Sequence, residues 1–235
     1  MNTSSLRSRL LSLAIQGQLV PQDPNDEPAS ALLARIQAEK ANAEKGKKRS
    51  AKPSLSVEDA PFEVPEGWCW TTLGEISNYG ETINVSVEDI DDEDWILELE
   101  DIEKDSAKIL QKLRKKDRAI NGTRHEFKQG DILYSKLRTY LNKVLIAPED
   151  GCCTTEIMCF GTYGVLCNEY IRQVLRSKFF LDYTEQCGYG VKMPRLGTSD
   201  ACKGLVPLPP LSEQRRIVAK IGEIFRELER IEGSL

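Results

Sequence analysis

The stretch that most constrains this chain is residues 207–232, where a double proline leads into a heptad-spaced helix. Pro209 and Pro210 cannot continue a helix from the preceding residues, whereas Ser212 and Glu213 offer a capping oxygen and an acidic first turn. The apolar residues then recur at alternating spacings of four and three, which is the repeat of a coiled-coil seam. They are Ile217, Ile221, Ile224, Leu228 and Ile231. The spacing predicts a helix about 30 Å long that needs a partner helix, and an amphipathic helix packed on its own domain is the alternative.

The first 52 residues predict two more helices and a linker. Residues 4–16 form the first helix, and its apolar spacing matches the C-terminal seam, so we expect the two helices to pair antiparallel. Its seam residues are Leu6, Leu10 and Leu13, and the neighbouring Leu11 and Ile15 lie on the same face. The proline-rich residues 21–28 predict a rigid turn, and residues 29–45 a second helix. Residues 46–52 form a basic, Ser/Lys-rich linker, which we interpret as a solvated tether, with a DNA-binding arm as the alternative.

Composition excludes several classes of protein. No apolar run approaches the roughly 18 residues that a membrane span requires, and the apolar stretch 10–15 carries no cleavage pattern, so we expect a cytosolic protein. The seven cysteines include no C-x-x-C pair, and His125 is the one histidine. We therefore expect reduced thiols and no metal site.

The charges are segregated along the chain, although the net charge is only −5. Residues 53–103 carry 16 acidic side chains and no Lys or Arg, whereas residues 104–148 carry 12 Lys or Arg and 4 acidic side chains. Phosphates repel the acidic block, so we expect residues 88–103 to face water or a partner protein. Such separation permits a basic face elsewhere.

A globular domain is predicted from residue 61 onwards. Trp68 and Trp70 open its first strand and are expected to pack in the core. After a turn at Gly130, a strand is predicted over residues 132–143, and its alternation directs one polar, donor-rich face outward. Arg reads guanine, Asn reads adenine, and Lys and Tyr suit phosphates or base edges, so this face has the chemistry of groove recognition; an ordinary solvent-facing strand is the alternative. The residues proposed for this face are Lys136, Arg138, Tyr140, Asn142 and Lys143.

A second candidate for DNA contact is the loop over residues 188–196. Its glycines and its proline predict a shaped loop from which Lys192 and Arg195 could project toward DNA. It could equally be a structural turn.

Several of these segments resemble one family, the DNA specificity (S) subunits of type I restriction-modification systems. The resemblance is carried by LRSRLLSLAIQGQLVPQDPNDEPASALLARIQAEK, the opening P-x-G-W-x-W-x-x-L, GDILYSKLRTYLNKVLIAP, residues 188–196, and PLPPLSEQRRIVAKIGEIFRELERIE. It implies an α+β fold: N-terminal helices and linker over 1–52, a globular mixed-sheet target recognition domain over 53–206, and a spacer coiled-coil helix over 207–235.

The resemblance also implies a function and partners. A specificity subunit reads one half of a bipartite site on double-stranded DNA and performs no chemistry itself. It docks methyltransferase (modification) and restriction subunits, which bind S-adenosylmethionine and, for restriction, ATP and Mg²⁺. Family members typically carry two recognition domains, and one is found here, so the chain is either a half-subunit that forms a homodimer through its helices or a fragment.

Two other functions are weighed against that one. A helical adaptor could bind protein through the acidic face, with no role on DNA. A metal-dependent nuclease could use Asp117, Glu126 and Lys128, a spacing that abundant charged residues also produce by chance. A methyltransferase is excluded because Leu208 and Leu211 flank the double proline where a polar and an aromatic residue are needed.

Overall fold

The structure is a computed structural model that describes residues 3–43, 60–190 and 192–233. The predicted linker 46–52 lies outside these residues. The helices within them are α1 (Thr3–Ile15), α2 (Ala29–Ala43), α3 (Leu73–Ile76), α4 (Asn168–Arg176), α5 (Lys178–Cys187), α6 (Thr198–Lys203) and α7 (Leu211–Gly233). The strands are β1 (Cys69–Thr72), β2 (Ile83–Val85), β3 (Trp95–Leu97), β4 (Leu113–Arg114), β5 (Arg124–Phe127), β6 (Ile132–Ser135), β7 (Val144–Ile146), β8 (Gly151–Thr154), β9 (Ile157–Phe160) and β10 (Leu205–Leu208).

These elements form two compact units. The helical unit contains the described part of residues 1–76 together with 162–180 and 203–233, and the sheet unit contains 77–161 and 181–202. The α+β class is therefore as predicted. The sequence prediction divides the chain by the role of each part, into residues 1–52, 53–206 and 207–235. That division stays a prediction. Among the described residues, no helix is both long enough and apolar enough to cross a membrane.

In the helical unit, α7 packs against α1 and α4. Arg7, near the start of α1, forms an ion pair of 3.0 Å with Glu232, near the end of α7. The Arg7 guanidinium also lies 5.6 Å from the centre of the Phe225 ring. The two helices therefore run antiparallel, as their matching apolar spacing predicts.

The predicted seam of α7 is largely covered within this unit. Ile217, Ile221 and Leu228 are buried in the single chain, whereas Ile231 keeps 42% of its surface exposed. Ile224 is partly buried. Most of the apolar stripe of α7 is therefore buried within its own unit, as the alternative interpretation predicts. The exposed part of the stripe lies at the C-terminal end of the helix.

The buried face of α1 is only part of the predicted one. Leu6 is 41% exposed, and Leu10 and Leu13 are only partly buried. The residues that α1 buries are Leu11, Ala14 and Ile15. Leucines are so dense in this helix that two stripes fit its sequence, and the smaller Ala14 belongs to the one that is buried.

A pair of buried polar residues fixes the start of α7. The helix begins at Leu211, so Ser212 lies inside the first turn and is not the cap that the sequence predicts. Glu213 accepts hydrogen bonds from Trp68 Nε1 (3.0 Å) and Gln22 Nε2 (3.1 Å). Gln214 donates to the carbonyl of Pro209 (2.9 Å) and accepts from the N–H of Cys167 (3.1 Å). Both residues are almost fully buried, and their partners come from segments far apart in the sequence.

The opening tryptophans pack in the core of the helical unit, as predicted. β1 pairs antiparallel with β10, which places Trp70 opposite Pro207. Trp68 is 8% exposed, and the Trp70 ring packs edge-on against Phe62 with 4.8 Å between ring centres. The strand ends where α3 begins at Leu73.

The sheet unit contains a five-stranded sheet of order β2-β5-β8-β3-β4 and a three-stranded sheet of order β7-β6-β9. β3 and β8 run parallel and the other pairs run antiparallel, so the larger sheet is mixed. Its core is built around Trp95 and Phe127, whose rings meet edge to face at 5.3 Å. All seven cysteines are free thiols, as predicted; Cys153 and Cys159 belong to this core.

One buried ion pair organises the connection between β3 and β5. Asp101 is completely buried and is held by Arg118, whose Nη2 donates at 2.6 Å. It also accepts hydrogen bonds from Gln111 Nε2 (2.7 Å) and from the N–H of Glu98 (2.8 Å). Burial alone raises the pKa of this carboxyl, but the bonds from Arg118, Glu98 and Gln111 outweigh burial and lower the pKa below its ordinary value.

The buried carboxyl of Glu213 predicts an unusual pH dependence. Burial raises its pKa, and the bonds from Trp68 and Gln22 only partly oppose that effect. A group with a raised pKa in the folded state stabilises the fold most below its unfolded pKa, near 4.5, and that contribution is lost as pH rises through the folded value. The melting temperature of the wild type, relative to that of Glu213→Gln, should therefore fall as pH rises from about 4.5 toward neutrality. A difference in melting temperature that stays constant over this range would contradict the raised pKa of Glu213.

Replacing Asp101 by Ala should destabilise the sheet unit by about 3–5 kcal/mol, because it leaves the Arg118 guanidinium buried without its partner. Because the pKa of Asp101 is lowered in the folded state, wild-type stability should also decline as pH falls through that pKa. The matched control is Glu93→Ala, which breaks an exposed pair with Lys116 and should cost less than about 1 kcal/mol. Urea unfolding of the two variants measures both values, and equal losses would show that Asp101 is not central to this unit.

Candidate nucleic-acid interface

The strand predicted over residues 132–143 is wrong beyond Ser135, where β6 ends. Arg138 and Asn142 both adopt the left-handed conformation, with φ of 52° and 50°, and a short 3₁₀ turn over Thr139–Leu141 lies between them. The alternation of side chains that assigned a polar face to this segment therefore does not exist. Left-handed backbone at a non-glycine residue costs about 1–3 kcal/mol and is concentrated at functional sites.

The turn nevertheless brings the two predicted DNA-contacting segments together. The N–H of Arg138 donates to the carbonyl of Pro194 (2.7 Å), and the N–H of Leu196 donates to the carbonyl of Lys136 (2.9 Å). Tyr189 and Arg195 exchange two further backbone hydrogen bonds of 3.0 and 2.9 Å. Residues 136–142, 188–190 and 192–196 therefore form one surface in the sheet unit, which is called the paired-loop surface below.

The predicted residues have different environments on this surface. Tyr140 is 43% exposed and Lys192 is exposed, while Lys136 and Arg138 are partly buried. The Nε of Arg138 is buried without a hydrogen-bond partner among the described residues. Asn142 is partly buried and has interactions within the protein.

Lys143 is partly buried and is bonded within the sheet unit. Its Nζ donates to the carbonyl of Leu99 at 2.7 Å, and burial lowers its pKa. Nothing in the sequence predicts this contact, since the partner of Lys143 lies 44 residues away. The structure therefore gives this lysine a structural role, whereas its DNA contact stays a prediction.

The acidic and basic blocks of the sequence are not separated in space. Carboxylates from residues 92–101, together with Glu149, pair with the basic cluster of residues 112–118. The pairs are Lys112–Glu149 (2.9 Å), Arg114–Glu149 (2.7 Å), Lys115–Asp92 (3.8 Å), Lys116–Glu93 (2.5 Å) and Arg118–Asp101. The expectation that the acidic block faces water or a partner protein therefore holds only in part: Asp92 and Glu93 stay exposed beside the lysines that they pair with, whereas Asp101 is buried against Arg118.

This pairing leaves few uncompensated cations. Within the part of the sheet unit that the structure describes, Lys136, Arg138, Lys143 and Lys192 have no carboxylate oxygen within 4.0 Å. Lys143 is bonded to the carbonyl of Leu99, and the other three lie on the paired-loop surface. Arg195 differs from them, because Glu156 holds its guanidinium through Nε (3.0 Å) and Nη2 (2.6 Å).

Two residues of this surface, and one that contacts it, were missed by the sequence argument. Tyr189 is 60% exposed and Met193 is 48% exposed, so apolar contact area lies beside the cations. Glu156 lies in the turn between β8 and β9, and its contact with Arg195 spans 39 residues. The sequence offered a signal for Tyr189, which stands between Gly188 and Gly190; it offered none for Met193 or Glu156.

The residues of the nuclease alternative are engaged in other contacts. Lys128 forms ion pairs with Glu126 (2.5 Å) and Asp150 (3.4 Å), and Asp117 accepts a hydrogen bond from the N–H of Arg114 (3.3 Å). Among the described residues, no group of three or more His, Cys, Asp or Glu side chains is placed to hold a metal ion.

Known proteins resemble the chain in sequence over almost its whole length. It is 34% identical over 245 residues to the specificity subunit of the type I restriction enzyme EcoAI of Escherichia coli, and 35% identical over 242 residues to that of EcoEI. The specificity subunit of EcoDI is 25% identical over 238 residues. The first two alignments cover 97% of this chain and 40% of the relative, so the chain spans well under half the length of these proteins. No family model matches the chain.

Solved structures show the same fold. The HsdS subunit from Thermoanaerobacter tengcongensis superposes with a TM-score of 0.63 at 24% identity, over 76% of this chain and 48% of that one. A chain from a study of assembly and conformational transition in the type I R-M system gives a TM-score of 0.62, also at 24% identity, over 74% of this chain and 47% of that one. The chain therefore matches type I restriction enzyme specificity subunits in sequence and in fold, over a stretch that corresponds to 40% of the length of the EcoAI and EcoEI specificity subunits.

Proposed function

We propose that this chain is the DNA-reading part of a type I specificity subunit. The sheet unit binds double-stranded DNA and reads one half of a bipartite target through the paired-loop surface. The chain performs no chemistry itself. The family supports this proposal, since its named members are the specificity subunits of restriction enzymes.

The observation that carries the proposal is the clustering of uncompensated positive charge. A protein binds duplex DNA largely by replacing the cations that surround the phosphates, and a side chain already neutralised by a carboxylate contributes little to that exchange. The five cations of residues 112–118 pair with four carboxylates, so this block is largely neutralised in this way. Lys136, Arg138 and Lys192 are not, and backbone hydrogen bonds hold the segments that carry the first two against Pro194 and Leu196.

The helical unit is proposed to dock the catalytic subunits. Leu6 and Ile231 leave apolar surface uncovered on α1 and α7, the two helices that the Arg7–Glu232 pair joins. Modification subunits, or a second copy of this chain in a homodimer, would bury that surface. The complex would act in the cytoplasm, with S-adenosylmethionine bound by the modification subunits and with ATP and Mg²⁺ used by the restriction subunit.

The proposal predicts a salt-dependent affinity for duplex DNA that depends on the unpaired cations. Changing Lys136, Arg138 and Lys192 singly to Gln should lower the slope of log affinity against log salt by about 0.9 for each phosphate contact that is lost. Gel shifts on random-sequence duplex, with the chain alone and with the modification subunit, measure this slope. Arg114→Gln is the matched control, because Glu149 already neutralises that cation, and its slope should equal that of the wild type.

The same gel shifts separate the proposal from its rivals. An adaptor without a role on DNA would show no binding at low salt, either alone or with the modification subunit. A nuclease would convert the duplex to fragments when Mg²⁺ or Mn²⁺ is added to the chain alone. Slopes that fall equally for Arg114→Gln and for the three test variants would show that the paired-loop surface is not the binding site.

A further inference from the structure

Arg195 is the one arginine of the paired-loop surface that a carboxylate holds by two hydrogen bonds. Glu156 Oε2 accepts from Nε at 3.0 Å and Oε1 accepts from Nη2 at 2.6 Å. The carboxylate thus occupies one edge of the planar guanidinium. The adjacent edge, formed by Nη1 and the second hydrogen of Nη2, still carries donors in a fork geometry, and Arg195 as a residue is exposed.

We infer that Arg195 reads a guanine in the major groove through this free edge, and that Glu156 is its positioning residue. Guanine presents O6 and N7 as two adjacent acceptors, which the arginine fork matches bidentately. The inference rests on the proposed function, because it names the base class that one residue of the same surface recognises.

The ion pair argues for a base contact rather than a phosphate contact. Paired with Glu156, Arg195 brings almost no net charge to the surface, and the nearby carboxylate would repel a phosphate. A base edge carries no net charge, so the same pair can face it without that repulsion. Lys136, Arg138 and Lys192 lack such a carboxylate and suit phosphates, which gives the surface separate positioning and reading groups.

The backbone around the pair is held on both sides. Arg195 exchanges two backbone hydrogen bonds with Tyr189, and the next residue, Leu196, donates to Lys136. The carbonyl of Glu156 accepts from the N–H of Lys136 at 3.0 Å, so the carboxylate is tied to the same segment. Rigid support of this kind is what a base-reading side chain requires, because bidentate recognition tolerates little displacement.

Selection from a random duplex library tests the inference, with the full chain assembled with its modification subunits. The wild type should select a motif that contains a guanine. The preference for that guanine should fall by about 5- to 150-fold in Arg195→Lys, because lysine keeps the positive charge but lacks the paired donors of the guanidinium. Replacing that guanine by 7-deazaguanine, which lacks the N7 acceptor, should weaken wild-type binding by more than it weakens binding by Arg195→Lys, since lysine lacks the fork that contacts N7 and O6 together.

Glu156→Gln separates positioning from simple structural support. Removing the carboxylate uncovers the charge of Arg195, so affinity for non-specific duplex should rise and the salt slope should steepen by about 0.9. Preference for the guanine should fall at the same time. A variant that merely damages the fold would lose both affinities and would melt at a lower temperature. Glu149→Gln, which releases Lys112 and Arg114 in the basic block, is the control and should leave the selected motif unchanged.

Each outcome bears on one of the two claims. If the wild-type complex selects no motif and binds no duplex, the proposed function fails. If it selects a motif that Arg195→Lys reproduces at every position, the proposed function stands and the reading role of Arg195 is overturned. If Glu156→Gln leaves both the motif and the salt slope unchanged, Glu156 does not position Arg195.

Discussion

Pairing between opposite charges in the sheet unit is the constraint on which this account depends. The chain has segregated acidic and basic blocks, yet the fold places carboxylates of residues 92–101 and Glu149 against the cations of residues 112–118. A surface that looks basic in the sequence is therefore nearly neutral, and the buried Asp101–Arg118 pair makes the arrangement part of the core. Available positive charge is left on the paired-loop surface, where left-handed Arg138 and Asn142 turn the chain back toward residues 194–196.

The helical unit is organised by contacts that are equally non-local. Glu213 and Gln214, at the start of α7, connect that helix to Trp68, Gln22, Cys167 and Pro209. Since both side chains are buried, breaking one of these bonds would leave a polar group unsatisfied, which costs about 1–3 kcal/mol. The long helix is thus anchored at its N-terminal end within its own unit. Its uncovered apolar surface lies at the other end, around Ile231, which is the end proposed to meet another subunit.

Local features of the fold could be predicted from the sequence, and long-range features could not. Apolar period, prolines and the Trp-x-Trp alternation located α1, α2, β1 and α7 to within a residue or two, because these signals act within one element. The prediction of a strand beyond Ser135 is wrong because no residue type in this segment indicates that Arg138 adopts a positive φ. The two DNA-contacting segments were predicted separately from their chemistry, but their pairing, and the contact of Glu156 with Arg195, depend on tertiary structure.

The central claim is that DNA lies against the paired-loop surface of the sheet unit. Photochemical cross-linking of the chain, assembled with its modification subunits, to a photoreactive random-sequence duplex tests this directly when the cross-linked peptides are mapped by mass spectrometry. The account predicts cross-links within the paired-loop surface, with exposed Tyr140 and Tyr189 as prominent sites. Cross-links confined to the neutralised block of residues 112–118, or to the helical unit, would contradict it.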